Sequence, residues 1–544
     1  DTAIESSYEW RTHRATEFAL RSTDDEIQYY DDNSAIEDWV TLLDGMNAVD
    51  FNFTEYWDTT EAQDALLFVN GDSSVFYWSG GKATFASAAA ATITLQGATT
   101  WGEEGFLTAG TRSVIIEGTT YAYTGGESTD TLTGVTPDPS VAGHTVGASC
   151  VQAIRTTANS AITSLPNAFQ NDLIEVLDNQ VWVGSLVSRE IYVSKINDYE
   201  DFGFSAPRLV GEGVLLTLDQ ATTAFVVQDE SMFVSAGTDY WFQSELQVSE
   251  DLLNETLLVN RLKTSPQQAA LSQGAVGNIK NLTVFISNEP TLDSLGNVEN
   301  YVTSQSRPIS DPIKVEFDTL DFTDAHIKYF KNNLYIALPK ETKLLIYNIE
   351  KGFWEAPQIL PAGRLAIYDG DLYLHSNSVD ETYKLFQGTS DVQGSSGDKL
   401  AINAIARFNY QNYGARAAKK FQTEWFSEGY ISTNTDLTLK LRYDYVGAGA
   451  TVNNTISGDV NQDIIFYNTS DPSLGKTPLG KAKLAGDPGG LLLNKFRVIN
   501  ELAPLDYYEI QAEYSTNDID QDWEILAFGS DATIANNDNN EIKQ

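Results

Sequence analysis

Charged side chains that could act as acids, bases or ligands are concentrated in "LDNQVWVGSLVSREIYVSKINDYEDF", residues 177–202. Asp198, Glu200 and Asp201 are close enough in sequence to suggest paired carboxylates for general acid–base catalysis. Glycoside hydrolysis needs two carboxyl groups at a defined separation, and one of them usually lies in an apolar pocket. Adjacent carboxylates in a loop after a strand are more typical of a solvated turn. The stretch therefore predicts no catalytic pair.

Other residues with catalytic or ligand-binding chemistry are scattered along the chain. The four histidines fall in separate segments and form no HxH or HxxxH pair, so a zinc motif is absent: His13, His144, His326 and His375. Neither GxSxG nor the phosphate-binding GxxxxGK[ST] occurs. The single cysteine, Cys150, excludes an intrachain disulfide framework. We predict no catalytic, cofactor-binding or metal-binding residue and no cofactor, and we expect that the chain is not an enzyme.

One segment near the C-terminus resembles a calcium-binding loop. In "YSTNDIDQDWEIL", residues 514–526, Asp518, Asp520 and Asp522 alternate as calcium ligands do. The glycine and the distal glutamate of an EF-hand loop are missing. The pattern therefore favours a turn with outward carboxylates over a Ca²⁺ site.

A basic cluster interrupts the acidic background in "RFNYQNYGARAAKK". Its members are Arg407, Arg416, Lys419 and Lys420. Such a cluster could dock an acidic partner surface, or it could pair with carboxylates of its own chain. Both interpretations stay open, and these four residues are candidate docking residues.

The overall charge argues against nucleic-acid binding. The 544 residues carry 34 Lys and Arg against 76 Asp and Glu, which gives a net charge of −42. Binding DNA requires cations that displace its counterions, so sequence-specific DNA binding is not expected. The charge fits either solubility in salty surroundings or a surface that must not adhere to DNA.

Short alternating strands separated by Gly, Asn and Asp dominate the sequence and predict an all-β protein. Seven related segments share two strands joined by a turn, with turns at positions 24, 70, 178, 229, 288, 332 and 369. The spacings are 37 to 59 residues, except for one gap of 108 residues. That period is typical of propeller blades, so we predict a β-propeller of six to eight blades. The alternative is a stack of hairpins in β-sandwiches.

The long gap and a change in composition predict the domain boundaries. Residues 1–86 and 166–390 are assigned to the propeller blades, and 87–165 to an inserted small β-barrel module. The Gly- and Ser-rich run at 388–399 predicts a boundary before a C-terminal β-sandwich over 391–535. Residues 536–544 are expected to be a frayed tail, and "SPQQAALSQGA" at 265–275 to start a short helix.

Several phrases resemble those of the tail nozzle or hub proteins of short-tailed bacteriophages, also called tail tubular or phage stabilisation proteins. They are "NQVWVGSLVSREIYVSKINDYEDFGFS", "LTLDQATTAFVVQDESMFVSAGTDYWFQ", "LLFVNGDSSVFYWSGG" and "GFWEAP". Asn197, Asp198, Tyr199 and Phe202 match a phrase at the end of a blade strand. The inserted segment also resembles a small β module of phage tail proteins. The resemblance covers residues 15–390 in pattern, with the C-terminal region only loosely similar.

This resemblance implies a virion structural protein located in the tail. The family forms rings, usually of six copies, below the portal and adaptor, where they line the channel through which the genome leaves. The implied partners are further copies of the chain, the tail adaptor protein, tail fibres or spikes, and passing double-stranded DNA that is not bound sequence-specifically. The family contributes no catalytic residues. Asp198, Tyr199 and Phe202 become candidate interface residues.

The sequence is compatible with two functions of different class. In the first, an acidic ring lumen keeps a moving genome from adhering. In the second, the propeller is a lectin or a glycan-degrading enzyme that acts on the host surface. The second function would require carboxylates and aromatic rings clustered in one axial pocket.

Overall fold

The fold is seen in a computed structural model, and it falls into two compact units, residues 1–385 and 386–544. The described residues are 4–12, 16–23, 25–31, 38–46, 50–96, 105–110, 112–126, 129–205, 208–228, 230–238, 240–248, 254–262, 268–279, 282–289, 291–295, 308–355, 357–378, 381–385, 391–393, 398–400, 404–408, 410–411, 420–432, 436–443, 452–457, 493–507, 509–517 and 523–534.

The first unit is built from short antiparallel strands. Its first part contains β1 (Ile4–Arg11), β2 (Glu17–Thr23), β3 (Glu26–Asp31), β4 (Asp38–Leu43), β5 (Asn52–Asp58), β6 (Gln63–Val69), β7 (Ser74–Trp78), β8 (Lys82–Ala89), β9 (Thr92–Gln96), β10 (Ser113–Ile116), β11 (Thr119–Ala122), β12 (Thr131–Thr133), β13 (Ser149–Gln152) and β14 (Arg155–Ala158). Its second part contains β15 (Leu173–Leu177), β16 (Gln180–Gly184), β17 (Glu190–Val193), β18 (Val214–Thr217), β19 (Thr222–Gln228), β20 (Ser231–Ala236), β21 (Tyr240–Val248), β22 (Glu255–Leu262), β23 (Val276–Ile279), β24 (Leu282–Ile286), β25 (Leu292–Leu295), β26 (His326–Phe330), β27 (Asn333–Leu338), β28 (Lys343–Asn348), β29 (Phe353–Trp354), β30 (Gln358–Ile359), β31 (Ala362–Tyr368), β32 (Asp371–Ser376) and β33 (Thr382–Lys384).

In the described part of this unit, seven of the sheets are propeller blades. In chain order they are β1–β4, then β5, β6, β7 and β14, then β15–β18, β19–β22, β23–β25, β26–β30 and β31–β33. Neighbouring blades contact each other in that order, mostly through their inner strands, and β31 of the seventh blade contacts β1 of the first. The ring is thus closed, and the predicted β-propeller is confirmed with seven blades.

The blade hairpins turn where the sequence supplies Asn, Asp or Gly. Between β15 and β16, Asp178 and Asn179 have φ of 52° and 58°. Asn332 and Asp369 take the same left-handed conformation in two later blades, with φ of 66° and 49°. Two consecutive residues with positive φ match the twist of a two-residue hairpin, and Asn and Asp tolerate that conformation well. The predicted turns at these positions are confirmed.

The inserted sheet follows β7 and forms a small closed barrel. Its order is β11-β10-β13-β8-β9-β12, and bridges from Ala122 to Thr136 and from Gly125 to Thr133 join its two edges. Phe85, Phe106 and Cys150 are among the buried side chains of its own core. The chain then returns to the second blade, where β14 pairs with β7. The blade therefore resumes at Arg155, within the range assigned to the insert from the sequence.

Buried ionic and hydrogen-bonded contacts fix the barrel to the propeller. Lys82 at its base pairs with Asp31 of the first blade at 2.8 Å, and Ser149 donates to the same carboxylate. On the second blade, the Glu61 carboxylate accepts hydrogen bonds from the backbone N–H groups of Thr108 and Ala109, both at 2.9 Å. Contacts to two blades hold the barrel in one orientation.

The second unit is a β-sandwich. Its strands are β34 (Asp391–Gln393), β35 (Asp398–Leu400), β36 (Ala404–Arg407), β37 (Lys420–Ser432), β38 (Asp436–Tyr443), β39 (Val452–Ser457), β40 (Leu493–Tyr507), β41 (Ile510–Thr516) and β42 (Trp523–Ile534). The sheet β36-β41-β38-β39 shares one apolar core with the sheet β40-β37-β42. Tyr514 connects the two sheets, because its hydroxyl lies 2.6 Å from Ser427 Oγ and accepts from Trp425 Nε1 at 3.2 Å.

Helical structure is sparse in the described ranges. They contain the helix α1 (Lys314–Phe317) and the 3-10 turns Pro139–Val141, Asn159–Ala161 and Asp311–Ile313. Residues 268–275 form a bridge and turns, so this part of the predicted short helix is wrong, and residues 265–267 lie outside the described residues. No helix among the residues described is long and apolar enough to cross a membrane.

Candidate functional site at the propeller axis

The phrase "NDYEDF" forms a clamp between the second and third blades. The Tyr199 ring stacks on Tyr77 of β7, with ring centroids 5.5 Å apart. The Arg155 guanidinium lies 4.4 Å from the Tyr77 ring centre and donates to the Tyr199 hydroxyl at 2.5 Å. Phe202 is 1% exposed in the apolar core between the same blades. We call Tyr77, Arg155, Tyr199 and Phe202 the inter-blade clamp.

These positions change the role expected for the matched residues. Tyr199 and Phe202 are core residues of the propeller, so their side chains are not docking residues. Asp198 is exposed, and its carboxylate accepts from the backbone N–H of Glu200 at 3.0 Å. Asp201 pairs with Lys195 at 2.6 Å. The adjacent carboxylates therefore organise the loop, as the turn interpretation predicts.

The basic cluster does not form the expected exposed patch as a whole. Lys420 begins β37, between β40 and β42, and its side chain is 0% exposed, so it is not a surface docking residue. Arg407 lies in β36. Arg416 and Lys419 lie outside the described residues, as do Asp518, Asp520 and Asp522 of the calcium-like segment.

A cavity of about 330 Å³ opens where the inner strands of the blades begin. Six of the seven blades contribute to its wall. Its polar and aromatic lining includes Tyr8, Asp50, Asn52, Phe53, Asp172, Gln273, His326, Lys328 and Arg364. Because the inner strands surround the propeller axis, residues far apart in sequence meet here.

Arg364 and His326 organise the mouth of this cavity. The Arg364 guanidinium donates to the backbone oxygens of Glu5 at 2.5 Å and Asp324 at 3.0 Å, and to the Asp50 carboxylate at 3.3 Å. His326 Nδ1 accepts from the backbone N–H of Leu365 at 3.2 Å. Burial, with nearby positive charges, holds the pKa of His326 well below its ordinary value. The ring is therefore neutral, and its remaining nitrogen, Nε2, carries the proton.

Farther along the inner strands lies a layer of titratable side chains. Glu9, Glu55, Glu175 and Lys328, with Tyr8, make up what we call the axial layer. Burial raises the pKa of both Glu9 and Glu175 to about 7, and it is the largest cause of both shifts. Burial also raises the pKa of Glu55. Burial also lowers the pKa of Lys328. Glu9 and Glu175 can therefore hold or release protons close to neutral pH.

The carboxylate of Glu175 has defined partners. It accepts from Thr54 Oγ1 at 2.8 Å and from the backbone N–H of Val176 at 3.0 Å. Both contacts favour the ionised form, but the loss of solvation on burial outweighs them. The result is a positioned carboxyl group whose protonation changes near neutrality.

Sequence reasoning did not find the axial layer, although a local signal was present. Glu175 interrupts the apolar strand "LIEVL", and Lys328 lies in the first strand of a later repeat. A charged residue in the inner strand of a blade must face either a neighbouring blade or the axis. His375, by contrast, lies in the second strand of its blade, 1% exposed, with Nδ1 2.9 Å from Thr382 Oγ1.

No arrangement of metal ligands was found in the described residues. They contain no group of three or more His, Cys, Asp or Glu side chains that could hold a metal ion. The arrangement at the axis is instead one of hydrogen-bond donors, carboxyl groups and aromatic rings around a small cavity.

Comparisons with known proteins add only distant likenesses. No family model matches the sequence, and no curated protein matches it. The computationally designed protein Ika8 superposes with a TM-score of 0.34 at 11% identity, covering 71% of this chain and 96% of its own. BamB from Moraxella catarrhalis gives 0.31 at 8% identity, covering 68% and 80%. Sqt1 from Saccharomyces cerevisiae gives 0.34 at 9% identity, covering 69% and 94%. The fold assignment rests on the strand pairing itself.

Proposed function

We propose that the chain is a structural subunit of a bacteriophage tail, located in the virion. Copies of it assemble into a nozzle or hub ring, as a homohexamer, that extends the DNA channel below the portal and adaptor. The ring retains the genome and passes it at ejection without sequence-specific binding. Its other partners are the tail adaptor protein and tail fibres or spikes.

The observation that carries this proposal is the place of the family-like phrase in the fold. "NDYEDF" builds the inter-blade clamp, where Tyr199 and Phe202 are buried against the preceding blade. A sequence segment that holds two blades together is expected, for structural reasons, to recur in proteins that share this propeller. The resemblance therefore concerns a framework, which is consistent with a subunit that has a mechanical task.

Charge and rigidity support the same function. A net charge of −42 makes nonspecific retention of DNA unfavourable, because phosphates find few cations to replace their counterions. The contacts of Lys82 and Glu61 hold the inserted barrel against two blades, so it moves as one body with the propeller. A rigid acidic subunit suits a ring through which DNA slides.

Native mass spectrometry of the full chain tests this proposal. The expected species is a hexamer, and a stable monomer across micromolar concentrations would contradict it. D198K, at the exposed interface candidate, should reduce the hexamer fraction if this loop contacts a neighbouring copy. D198N is the matched control, because it keeps an oxygen that accepts from the backbone N–H of Glu200.

A second candidate function, glycan binding or cleavage, is favoured by one observation. Carboxyl groups with raised pKa and aromatic rings do meet at the axis, as such a function would need: Glu9, Glu55, Glu175, Tyr8 and Phe53. Assays with host-surface oligosaccharides test it. If the wild-type chain is a monomer that hydrolyses an oligosaccharide and E175Q does not, the enzyme function replaces the nozzle proposal. If the chain is a hexamer without activity, the enzyme alternative is removed.

A further inference from the structure

Several hydrogen-bond donors in the axial cavity have no acceptor among the residues that the structure describes. Lys328 Nζ, the Tyr8 hydroxyl and the Asn52 amide nitrogen belong to residues of the cavity wall. Among the described residues, none accepts a hydrogen bond from these three groups. Asn52 uses only its oxygen, which accepts from the backbone N–H of Ile174 at 3.1 Å. Polar groups in a confined site are normally satisfied by protein, water or ligand.

The acceptors of the same wall are largely occupied. Asp172 accepts from the backbone N–H of Leu186 at 2.7 Å and from Ser185 Oγ at 3.0 Å. The Gln273 side chain bonds the backbone of Phe225 with both its oxygen, at 2.7 Å, and its nitrogen, at 3.0 Å. Asp50 faces Arg364 at 3.3 Å. The cavity therefore offers hydrogen-bond donors that lack acceptors. A ligand that matches it must be rich in hydrogen-bond acceptors.

Charge and apolar surface narrow the class of ligand. Lys328 supplies a positive charge that has no ion pair within the described residues. Tyr8 and Phe53 stack with ring centroids 5.1 Å apart, and Phe51 lines the same cavity. The ammonium group suits an anion, whereas the rings suit a carbon skeleton.

We propose that the axial cavity is a binding site for a small organic carboxylate. The carboxylate accepts from Lys328 Nζ, Tyr8 and Asn52, and its carbon body packs against the aromatic wall. His326 offers a further donor through Nε2, since its Nδ1 is already occupied by Leu365. This site does not depend on the proposed role in a phage tail, because it uses only residues within one propeller.

The neighbouring acids give the site a pH dependence. The groups that face Lys328 and Tyr8 from the inner strands are the carboxyls Glu9, Glu55 and Glu175. Those of Glu9 and Glu175 have pKa values of about 7, so they lose negative charge as the pH falls through neutrality. His326 stays neutral in this range, because burial holds its pKa well below the ordinary value. Binding of a carboxylate should therefore be tighter at pH 6 than at pH 8.

Calorimetric titration of the full chain with benzoate at pH 6 tests the proposal. Benzoate should bind, and the neutral analogue benzyl alcohol should bind at least tenfold more weakly. K328M, which removes the charge and keeps the chain length, should weaken benzoate binding about tenfold or more. The matched control is K314M, at an exposed lysine that pairs with Asp318 outside the cavity, and it should leave binding unchanged.

A second variant keeps the test valid if K328M folds poorly. N52D preserves the oxygen that accepts from Ile174 and replaces the amide donor by a carboxylate, so it should abolish benzoate binding at pH 8. Equal affinity of wild type, K328M and N52D would overturn the site. Absence of benzoate binding at millimolar concentration, or tighter binding of inorganic phosphate than of benzoate, would overturn the carboxylate assignment.

Discussion

The junction between the second and third blades differs from the junction that closes the ring between the seventh blade and the first. The former is an apolar cluster reinforced by the inter-blade clamp. In the described residues, apolar clusters connect each of the first six pairs of successive blades, and none joins the seventh blade to the first.

Polar and edge-on aromatic contacts hold the closing junction instead. Ser7 Oγ donates to the backbone oxygen of Leu365 at 3.3 Å, and Arg364 bonds the backbone oxygen of Glu5. The His375 ring meets Trp39 with centroids 6.3 Å apart. Directional contacts fix the alignment of the two ends of the unit, while apolar burial supplies most of the stability elsewhere. The stability of the closing junction should therefore depend on pH. The stability of the junction that contains the inter-blade clamp should depend on side-chain volume.

The largest expected effect comes from emptying the apolar junction. Phe202→Ala removes a ring that is 1% exposed, and we expect the free energy of unfolding to fall by about 3–5 kcal/mol. Urea denaturation followed by fluorescence measures this change. Phe204→Ala is the matched control two residues away, at a ring that is 56% exposed, and should cost less than about 0.5 kcal/mol. Equal losses for the two variants would contradict the account of this junction.

The closing junction should be sensitive to acid through His375. Burial lowers the pKa of this imidazole from 6.5 to about 3. The unfolded chain therefore binds a proton that the folded chain does not, and stability falls as the pH drops below about 6.5. Between pH 7 and pH 5, wild type should lose about 2 kcal/mol more than H375Q.

Thermal unfolding across that pH range, with H144Q in the barrel as control, measures this difference. Hydrogen exchange should also report faster opening of β1 and β31 in wild type at pH 5. Parallel pH curves for wild type and H375Q would show that His375 does not make the junction sensitive to acid.

The axial layer should show the opposite pH dependence, with a smaller amplitude. The pKa of Glu175 is raised to about 7, so the folded chain retains a proton that the unfolded chain has lost above its ordinary pKa. Wild type should thus lose stability as the pH rises from 5 to 7, by about 1 kcal/mol more than E175Q, since Glu175 is only half-buried and solvent screens part of the effect.

The glutamine side chain introduced in E175Q keeps an oxygen for the bonds from Thr54 and Val176. E350Q, at an exposed carboxylate, is the control and should follow the wild-type curve. A steeper loss in E175Q than in wild type would contradict the direction of the pKa shift.

The difference between local turns and contacts that join distant blades explains what the sequence could predict. Hairpin turns such as Asp178–Asn179 depend on adjacent residues with a known preference for positive φ, so the repeat and the propeller are readable. The axial layer joins single residues from different blades, such as Glu9, Glu175 and Lys328. Only closure of the ring brings them together, and no local spacing encodes it.

Residues that are close in the sequence can also take different positions in the fold, and a cluster inferred from the sequence is then wrong. Lys420 belongs to a basic cluster in the sequence, yet it begins a central strand and is buried. Tyr199 and Phe202 belong to a conspicuously charged loop, and they are core residues. Burial of this kind depends on partners that arrive from distant segments, which composition alone does not specify.

The most direct test of the central proposal is a single-particle reconstruction of the purified full-length chain. The expected result is a sixfold ring whose lumen is lined by Asp and Glu side chains. A monomeric particle, or a ring whose lumen is lined by Lys and Arg, would contradict it.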